Sequence, residues 1–292
     1  MTDRNNSVSS FSIGATRFRC RGRLLDLKEK TWVVGVLNVT PDSFSDGGRF
    51  LGSGAAIDQG VRMAEEGADI LELGGESSRP GAVAVSADEE LRRILPVLRR
   101  LRARLAIPLA VDTYKPEVAR VVLEEGAEII NDIYGVRGEG RLAEVVARAD
   151  GGLVIMHMKG TPGDMQSDPS YDDVVGEIAA FLRDRIAFAE AMGVGPEAIL
   201  VDPGLGFGKR VEHNLALLRH LSEFHRLGKP IMIGPSRKSF IGKVLDLPVG
   251  ERQDGTAACV AAAVIQGAAF VRVHEVRPAV HLVRMLDAIR RA

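Results

Sequence analysis

Five short apolar runs in this 292-residue chain stop on a side chain able to hold a ligand: Asn38, Asp112, the pair Asn131-Asp132, His157 and Asp202. Another closes on Arg272-Val273-His274, one runs into Ser236-Arg237-Lys238-Ser239, and one into Gly74-Gly75-Glu76-Ser77-Ser78-Arg79. Two chemistries separate. Arg79, Arg272 and His274 suit phosphate oxygens, because a guanidinium gives paired, charge-assisted hydrogen bonds to them. Asp112, Asn131, Asp202 and Lys238 mix donors and acceptors, which suits a flat heterocycle whose amidine edge offers paired N–H groups to a carboxylate. A site built on such directed bonds strongly rejects analogues that lack the partner atoms. For any single residue here the plain alternative is a helix cap or an Asx-turn. Eight run ends with complementary chemistry favour a site.

What brings them together is the order of the elements. A short apolar run, a polar loop and a helical pattern recur with a period of roughly 30–40 residues, the alternation expected of parallel strands with crossover helices. The runs lie at 32–38, 69–73, 109–112, 128–132, 153–157, 199–202, 230–234 and 269–274. Helical patterns follow at about 55–66, 88–104, 116–125, 141–149, 171–192, 211–227, 254–266 and 276–291. Pro116 takes a first helical position, and Gly67, Gly126, Gly193 and Gly228 follow helix ends. Eight such units predict an α/β fold, a single (β/α)8 TIM-barrel domain over 1–292 with residues 1–10 flexible. A closed barrel gathers all eight strand ends on one rim, the face where barrel enzymes place their chemistry. Residues 11–27 read as a short N-terminal hairpin covering the barrel bottom.

Composition narrows the function classes. Hydrophobic residues make up 46% and aromatics 5%, so the core is expected to be aliphatic. Lys plus Arg (38) balances Asp plus Glu (39), leaving no field to draw in a nucleic acid or a membrane surface. Cys20 and Cys259 stand far apart in no metal or redox pattern, and the polar start lacks a leader-like apolar stretch. A soluble cytoplasmic protein is expected.

The loops add detail. The segment 204–209, GLGFGK, fits neither GxxxxGK[ST] nor GxGxxG, which excludes an ATP or dinucleotide loop. A tight turn and direct ligand contact both remain open for it. Loop 39–54, with Asp42 and Asp46, and loop 74–87, with Ser78, Arg79 and Pro80, are candidate lids; plain solvated loops are the alternative. His157, between Met156 and Met158, reads as a packed wall residue more than a catalyst. With no HExxH or paired His/Cys pattern, a hard ion such as Mg²⁺, held by oxygen ligands and substrate phosphates, fits better than a transition metal.

The motifs GVLNVTPDSFSDGG (35–48), GADILELGGESSRPGA (67–82), VDTYKPEVA (111–119), IINDIYG (129–135), VIMHMKGTP (154–162), VDPGLGFGK (201–209), IGPSRKSFIG (233–242) and FVRVHEV (270–276) together resemble the dihydropteroate synthases, in the family's order from about residue 30 onward. The resemblance implies condensation of 6-hydroxymethyl-7,8-dihydropterin diphosphate with 4-aminobenzoate, giving 7,8-dihydropteroate and pyrophosphate. It implies that Asp112, Asn131, Asp202 and Lys238 hold the pterin, and that Asn38, Arg79, Arg272 and His274 hold the diphosphate. Phe44, Ser78, Pro80, Phe207, Lys238 and Ser239 would frame the aminobenzoate, and Asn38 and Asp46 would lie near Mg²⁺. Asp112, Asp202, Lys238, Arg272 and His274 would carry the chemistry, a substitution at the pterin methylene with pyrophosphate leaving. A homodimer is implied as well, with the Ala-rich stretch 256–264 as one candidate face. One departure shows: ESSRPG stands where the family commonly has ESTRPG, so Ser78 keeps the hydroxyl and drops a methyl that aminobenzoate or a sulfonamide mimic would meet. The rival readings are a pterin-binding methyltransferase, which needs no diphosphate set, and a non-catalytic paralogue.

Overall fold

The structure, a computed structural model, describes residues 14–40, 49–79 and 81–292, without the side chains of 49–52. Expectations for residues 1–10, Asp42, Phe44, Asp46 and Pro80 lie outside the described residues. The chain opens with an antiparallel hairpin, β1 (Arg17–Cys20) and β2 (Arg23–Asp26). The eight apolar runs then form eight parallel strands: β3 (Trp32–Asn38), β4 (Ile70–Gly74), β5 (Leu109–Asp112), β6 (Ile129–Asp132), β7 (Gly152–Met156), β8 (Ile199–Asp202), β9 (Met232–Ile233) and β10 (Phe270–Val273). Their order is β8-β7-β6-β5-β4-β3-β10-β9. A parallel bridge between Val201 and Ile231, with Val201 N donating to Pro230 O at 3.0 Å, joins the two ends and nearly closes the barrel. The joint is thin because Pro230 and Pro235 flank β9 and neither has an N–H for the ladder.

The helices are α1 (Arg49–Glu65), α2 (Ala87–Arg102), α3 (Pro116–Glu124), α4 (Arg141–Arg148), α5 (Val174–Ala191), α6 (Val211–Arg219), α7 (Ser239–Leu245), α8 (Gln253–Ile265) and α9 (Val276–Arg291). Four differ from the sequence pattern. α1 begins at Arg49 rather than near 55, so the end of the segment read as a candidate lid is helical. α5 starts later than expected because Asp173 accepts from Gly176 N at 3.0 Å and caps it. The helix expected over 211–227 breaks after Arg219 into a 3₁₀ turn, Leu221–Leu227, closed by Gly228 in the left-handed region. α7 has only seven residues, too few for a helical period to show.

Side chains alternate along each strand, so one set packs outward on the helices and the other fills the barrel. With the stagger of an eight-stranded barrel, inward residues of alternate strands share a layer of four. The register builds two apolar layers, Ile70, Ile129, Leu200 and Phe270, then Val34, Ala110, Val154 and Met232. Below them the hairpin contributes Phe18, Cys20, Leu25 and Leu27 to the same cluster, closing the bottom as expected. Arg23, which reaches Glu128 at 2.6 Å, ties the hairpin down.

Candidate active site

Two residues further along the same strands the interior changes character. β4, β6, β8 and β10 now present Glu72, Asn131, Asp202 and Arg272, with 3%, 0%, 0% and 8% of their surface exposed. The next layer adds Asp112 from β5 beside Val36, Met156 and Gly234. Arg272 Nη2 donates to Asp202 Oδ2 at 3.2 Å, and Nη1 lies 3.5 Å from Glu72 Oε1. Asp202 Oδ1 accepts from Gly204 N at 2.7 Å. Several atoms have no hydrogen-bond partner among the described residues: both amide atoms of Asn131, Glu72 Oε2 and Arg272 Nη1, which has only the ion pair with Glu72 Oε1. Buried polar groups are normally satisfied, so such a concentration marks where a ligand edge or ordered water completes the network.

The electrostatics follow from crowding. Burial and then the Glu72 carboxylate push the pKa of Asp112 well above the usual carboxylate range, with Arg272 pulling the other way. Burial raises Glu72 likewise, opposed by Arg272. Three carboxylates against one guanidinium hold their charge only at a cost, and a donor-rich ligand relieves it.

Above this layer stand the rim residues. Lys238 caps the start of α7, and its ammonium lies 3.9 Å from the centroid of the Phe207 ring. Burial, then the neighbouring Arg272, lowers its pKa to about 7. Ser239 is exposed on the first turn of α7. His274 Nδ1 lies 2.9 Å from Ser236 Oγ. Burial and the cations Arg237, Lys238, Arg272 and Arg79 lower its pKa to about 4, so the ring is neutral near pH 7. Asn38 ends β3 opposite Gly74. Ser78 is half-buried and Arg79 exposed on the loop after β4.

Loop 204–209 settles into a tight turn. Gly204, Gly206 and Gly208 all have positive φ, and a Cβ on Gly204 would overlap the carbonyl oxygen of His157. Lys209 runs beneath, donating to Phe207 O at 2.9 Å and lying 3.0 Å from His157 Nδ1. His157 packs edge-on to Phe181 with ring centroids 4.9 Å apart. It therefore supports the wall bearing Phe207.

A sequence model described as "Pterin binding enzyme" matches residues 34–274. The Synechocystis dihydropteroate synthase is 45% identical over 92% of this chain and 93% of its own length. That of Escherichia coli K12 is 44% identical over 92% and 94%. Among solved structures, the Xanthomonas albilineans dihydropteroate synthase with 4-aminobenzoic acid has a TM-score of 0.88 at 45% identity, covering 95% of this chain and 99% of its own. The chain belongs to the dihydropteroate synthase family. The same enzyme in complex with 7,8-dihydropteroate aligns at a TM-score of 0.85, 42% identity, 94% and 99% coverage.

Within that family frame, the structure brings Asp112, Asn131, Asp202, Arg272 and Lys238 to one barrel mouth, with Phe207, His274, Asn38 and Ser78 on or near its rim. Asp132 does not join them: it accepts from Tyr134 N at 2.8 Å and Val136 N at 2.6 Å, capping a turn. Sequence reasoning passed over Glu72, Lys209 and the cluster in which Lys115 Nζ bridges Glu76 at 2.6 Å and Glu90 at 2.5 Å. That cluster roots the loop carrying Ser78 and Arg79. A charge inside the apolar run DILEL, two residues past inward-facing Ile70, was the available sign of Glu72.

Proposed function

We propose that the polar barrel mouth joins 6-hydroxymethyl-7,8-dihydropterin diphosphate to 4-aminobenzoate, forming 7,8-dihydropteroate and pyrophosphate, so that the chain acts as a transferase of folate biosynthesis. The observation that carries this reading is the buried layer of unpartnered donors and acceptors next to a guanidinium. Asp202, Asn131 and Asp112, with Lys238 at the rim, hold the pterin, while Arg272 and the rim residues His274, Arg79 and Asn38 hold the diphosphate. Phe207, Ser78, Lys238 and Ser239, with Phe44 and Pro80, frame the aminobenzoate. Relatives bound to 4-aminobenzoic acid and to 7,8-dihydropteroate support the pairing.

The chemistry is a substitution at the pterin methylene. The arylamine nitrogen forms the new C–N bond, the C–O bond to the diphosphate breaks, and pyrophosphate leaves with the electron pair. The amine proton passes to solvent, so no strong general base is required. Asp112 and Asp202 stabilise positive charge developing on the pterin, and Arg272 offsets charge growing on the leaving group. His274, neutral before the diphosphate arrives, contributes a directed N–H while Ser236 Oγ engages its other ring nitrogen.

Mg²⁺ belongs to this reading. No group of three or more His, Cys, Asp or Glu able to hold a metal occurs among the described residues. A hard ion would be held mainly by diphosphate oxygens and water, with the Asn38 amide oxygen at the end of β3 as a protein donor and Asp46, by the sequence resemblance, as another. Such an ion, when bound, neutralises charge on the departing pyrophosphate.

We further propose a single domain over 1–292 that works in the cytoplasm as a homodimer and is open to sulfonamide mimics of aminobenzoate. In the Ala-rich stretch Val260, Ala263 and Val264 are buried, while Ile265, Met285 and Ile289 remain as exposed apolar surface on α8 and α9. No helix among the described residues is long and apolar enough to cross a membrane.

Competition binding tests the functional reading. The protein should bind the pterin diphosphate on the order of 100-fold more tightly than its alcohol, as expected for several charge-assisted hydrogen bonds. Equal affinity for the two, with tight binding of methyltetrahydrofolate, would move the assignment to methyl transfer.

A further inference from the structure

Glu72 is the fourth member of the layer that contains Asn131, Asp202 and Arg272, and nothing above gives it a role in the reaction. Arg272 on β10 has β3 and then β4 on one side, and β9 and then β8 on the other. Glu72 and Asp202 therefore flank it symmetrically, and Asn131 on β6 lies across the barrel. The intervening strands present Val36 and Gly234, which offer no polar side chain. A Cβ on Gly234 would come within 3.0 Å of Arg272 Nε and Nη2, so the guanidinium lies against that glycine. From there it reaches Asp202 Oδ2 at 3.2 Å and faces Glu72 Oε1 at 3.5 Å.

The position of Arg272 matters to Asp202. Its Oδ1 is already taken by Gly204 N at 2.7 Å, so Oδ2 is the oxygen with capacity left for a ligand. A guanidinium drawn fully onto Oδ2 would consume that capacity. An opposing carboxylate on the far side of Arg272 prevents this, because Coulomb attraction at these distances is strong in a buried setting.

We propose that Glu72 is a positioning residue that holds Arg272 between two carboxylates and so keeps Asp202 Oδ2 open to the pterin. The proposal rests on the pterin assignment above. Its consequence is selective, because Glu72 lies deep under the pterin end and the aminobenzoate frame is built from the rim loops and α7.

The test is Glu72→Gln, which keeps the shape of the side chain and removes its charge. Affinity for the pterin diphosphate should fall about tenfold, a size typical of coupled neighbours in one network. KM for 4-aminobenzoate should stay within twofold of the unmutated protein. Tm should hold or rise, because burial disfavours the charged form of Glu72 and Arg272 keeps Asp202 as its partner; a purely structural Glu72 predicts the reverse, with a lower Tm and unchanged affinity. Glu72→Asp should recover part of the loss. Because Glu72→Asp keeps the charge but draws it back from Arg272, it should itself show a smaller selective loss, which covers the case in which Glu72→Gln does not fold. Pterin diphosphate affinity unchanged in both Glu72→Gln and Glu72→Asp overturns the proposal. Failure of the unmutated protein to bind pterin diphosphate overturns the pterin assignment and the proposal with it.

Discussion

The barrel interior holds two regions that share the same strands and differ in every other respect. Ile70, Ile129, Leu200 and Phe270 form part of an apolar cluster sealed from below by the hairpin. Two residues later the same four strands carry Glu72, Asn131, Asp202 and Arg272, several of whose polar atoms have no hydrogen-bond partner among the described residues. One pleat repeat separates a layer that stabilises the fold from one that opposes it. Burying an apolar side chain contributes roughly 1.5–3 kcal/mol, whereas an unsatisfied buried polar group costs about 1–3 kcal/mol. The upper layer persists because the lower one is sound and because a ligand satisfies what the protein leaves open.

Substitutions in the two layers should therefore have opposite consequences. The largest effect is expected below. Phe270→Ala removes a fully buried ring packed edge-on to Phe18 at 5.6 Å and should cost about 3–5 kcal/mol by chemical denaturation. The fraction that remains folded should keep its KM values. A loss of stability under 1 kcal/mol would mean that the hairpin does not seal the barrel.

Above, Asn131→Leu should do the reverse. Replacing two unpartnered amide atoms by methyl groups should raise stability by about 1 kcal/mol, while pterin binding falls on the order of 100-fold. A destabilised Asn131→Leu protein with intact binding would erase the contrast between the layers.

A third effect is a pH dependence at the rim. The Lys238 pKa is lowered from 10.5 to about 7, chiefly by burial. Between those values the unfolded chain keeps a proton that the folded chain has released, so stability should rise with pH across that window. Below about 7 both states are protonated and this contribution is flat. Denaturation midpoints between pH 7 and 10 should rise in the unmutated protein and lose this slope in Lys238→Met. Pterin diphosphate affinity should fall as pH rises through about 7, where the folded protein's Lys238 loses its charge.

The barrel was largely legible in the sequence because eight apolar runs separated by helical periods leave few alternatives. Most of the polar layer was legible too, since strand-end Asp112, Asn131 and Asp202 announce themselves where an apolar run stops. Glu72 was not, because it sits inside a run, where only the two-residue alternation from Ile70 reveals that it faces inward. Lys209 was hidden for another reason. Its role depends on three glycines whose left-handed conformations bring backbone against backbone, and residue type alone left the turn and ligand contact equally open. The short α7 and the broken end of α6 escaped because a helical period needs more residues than they have.

The most direct measurement of the central claim is turnover by the purified protein given 6-hydroxymethyl-7,8-dihydropterin diphosphate, Mg²⁺ and 4-aminobenzoate, with Asp202→Ala and Arg272→Ala in parallel. Dihydropteroate and pyrophosphate should form in equal amounts in the unmutated protein, and their rate should drop on the order of 100-fold or more in each variant. Turnover that survives both substitutions would contradict the assignment of the polar layer as the active centre.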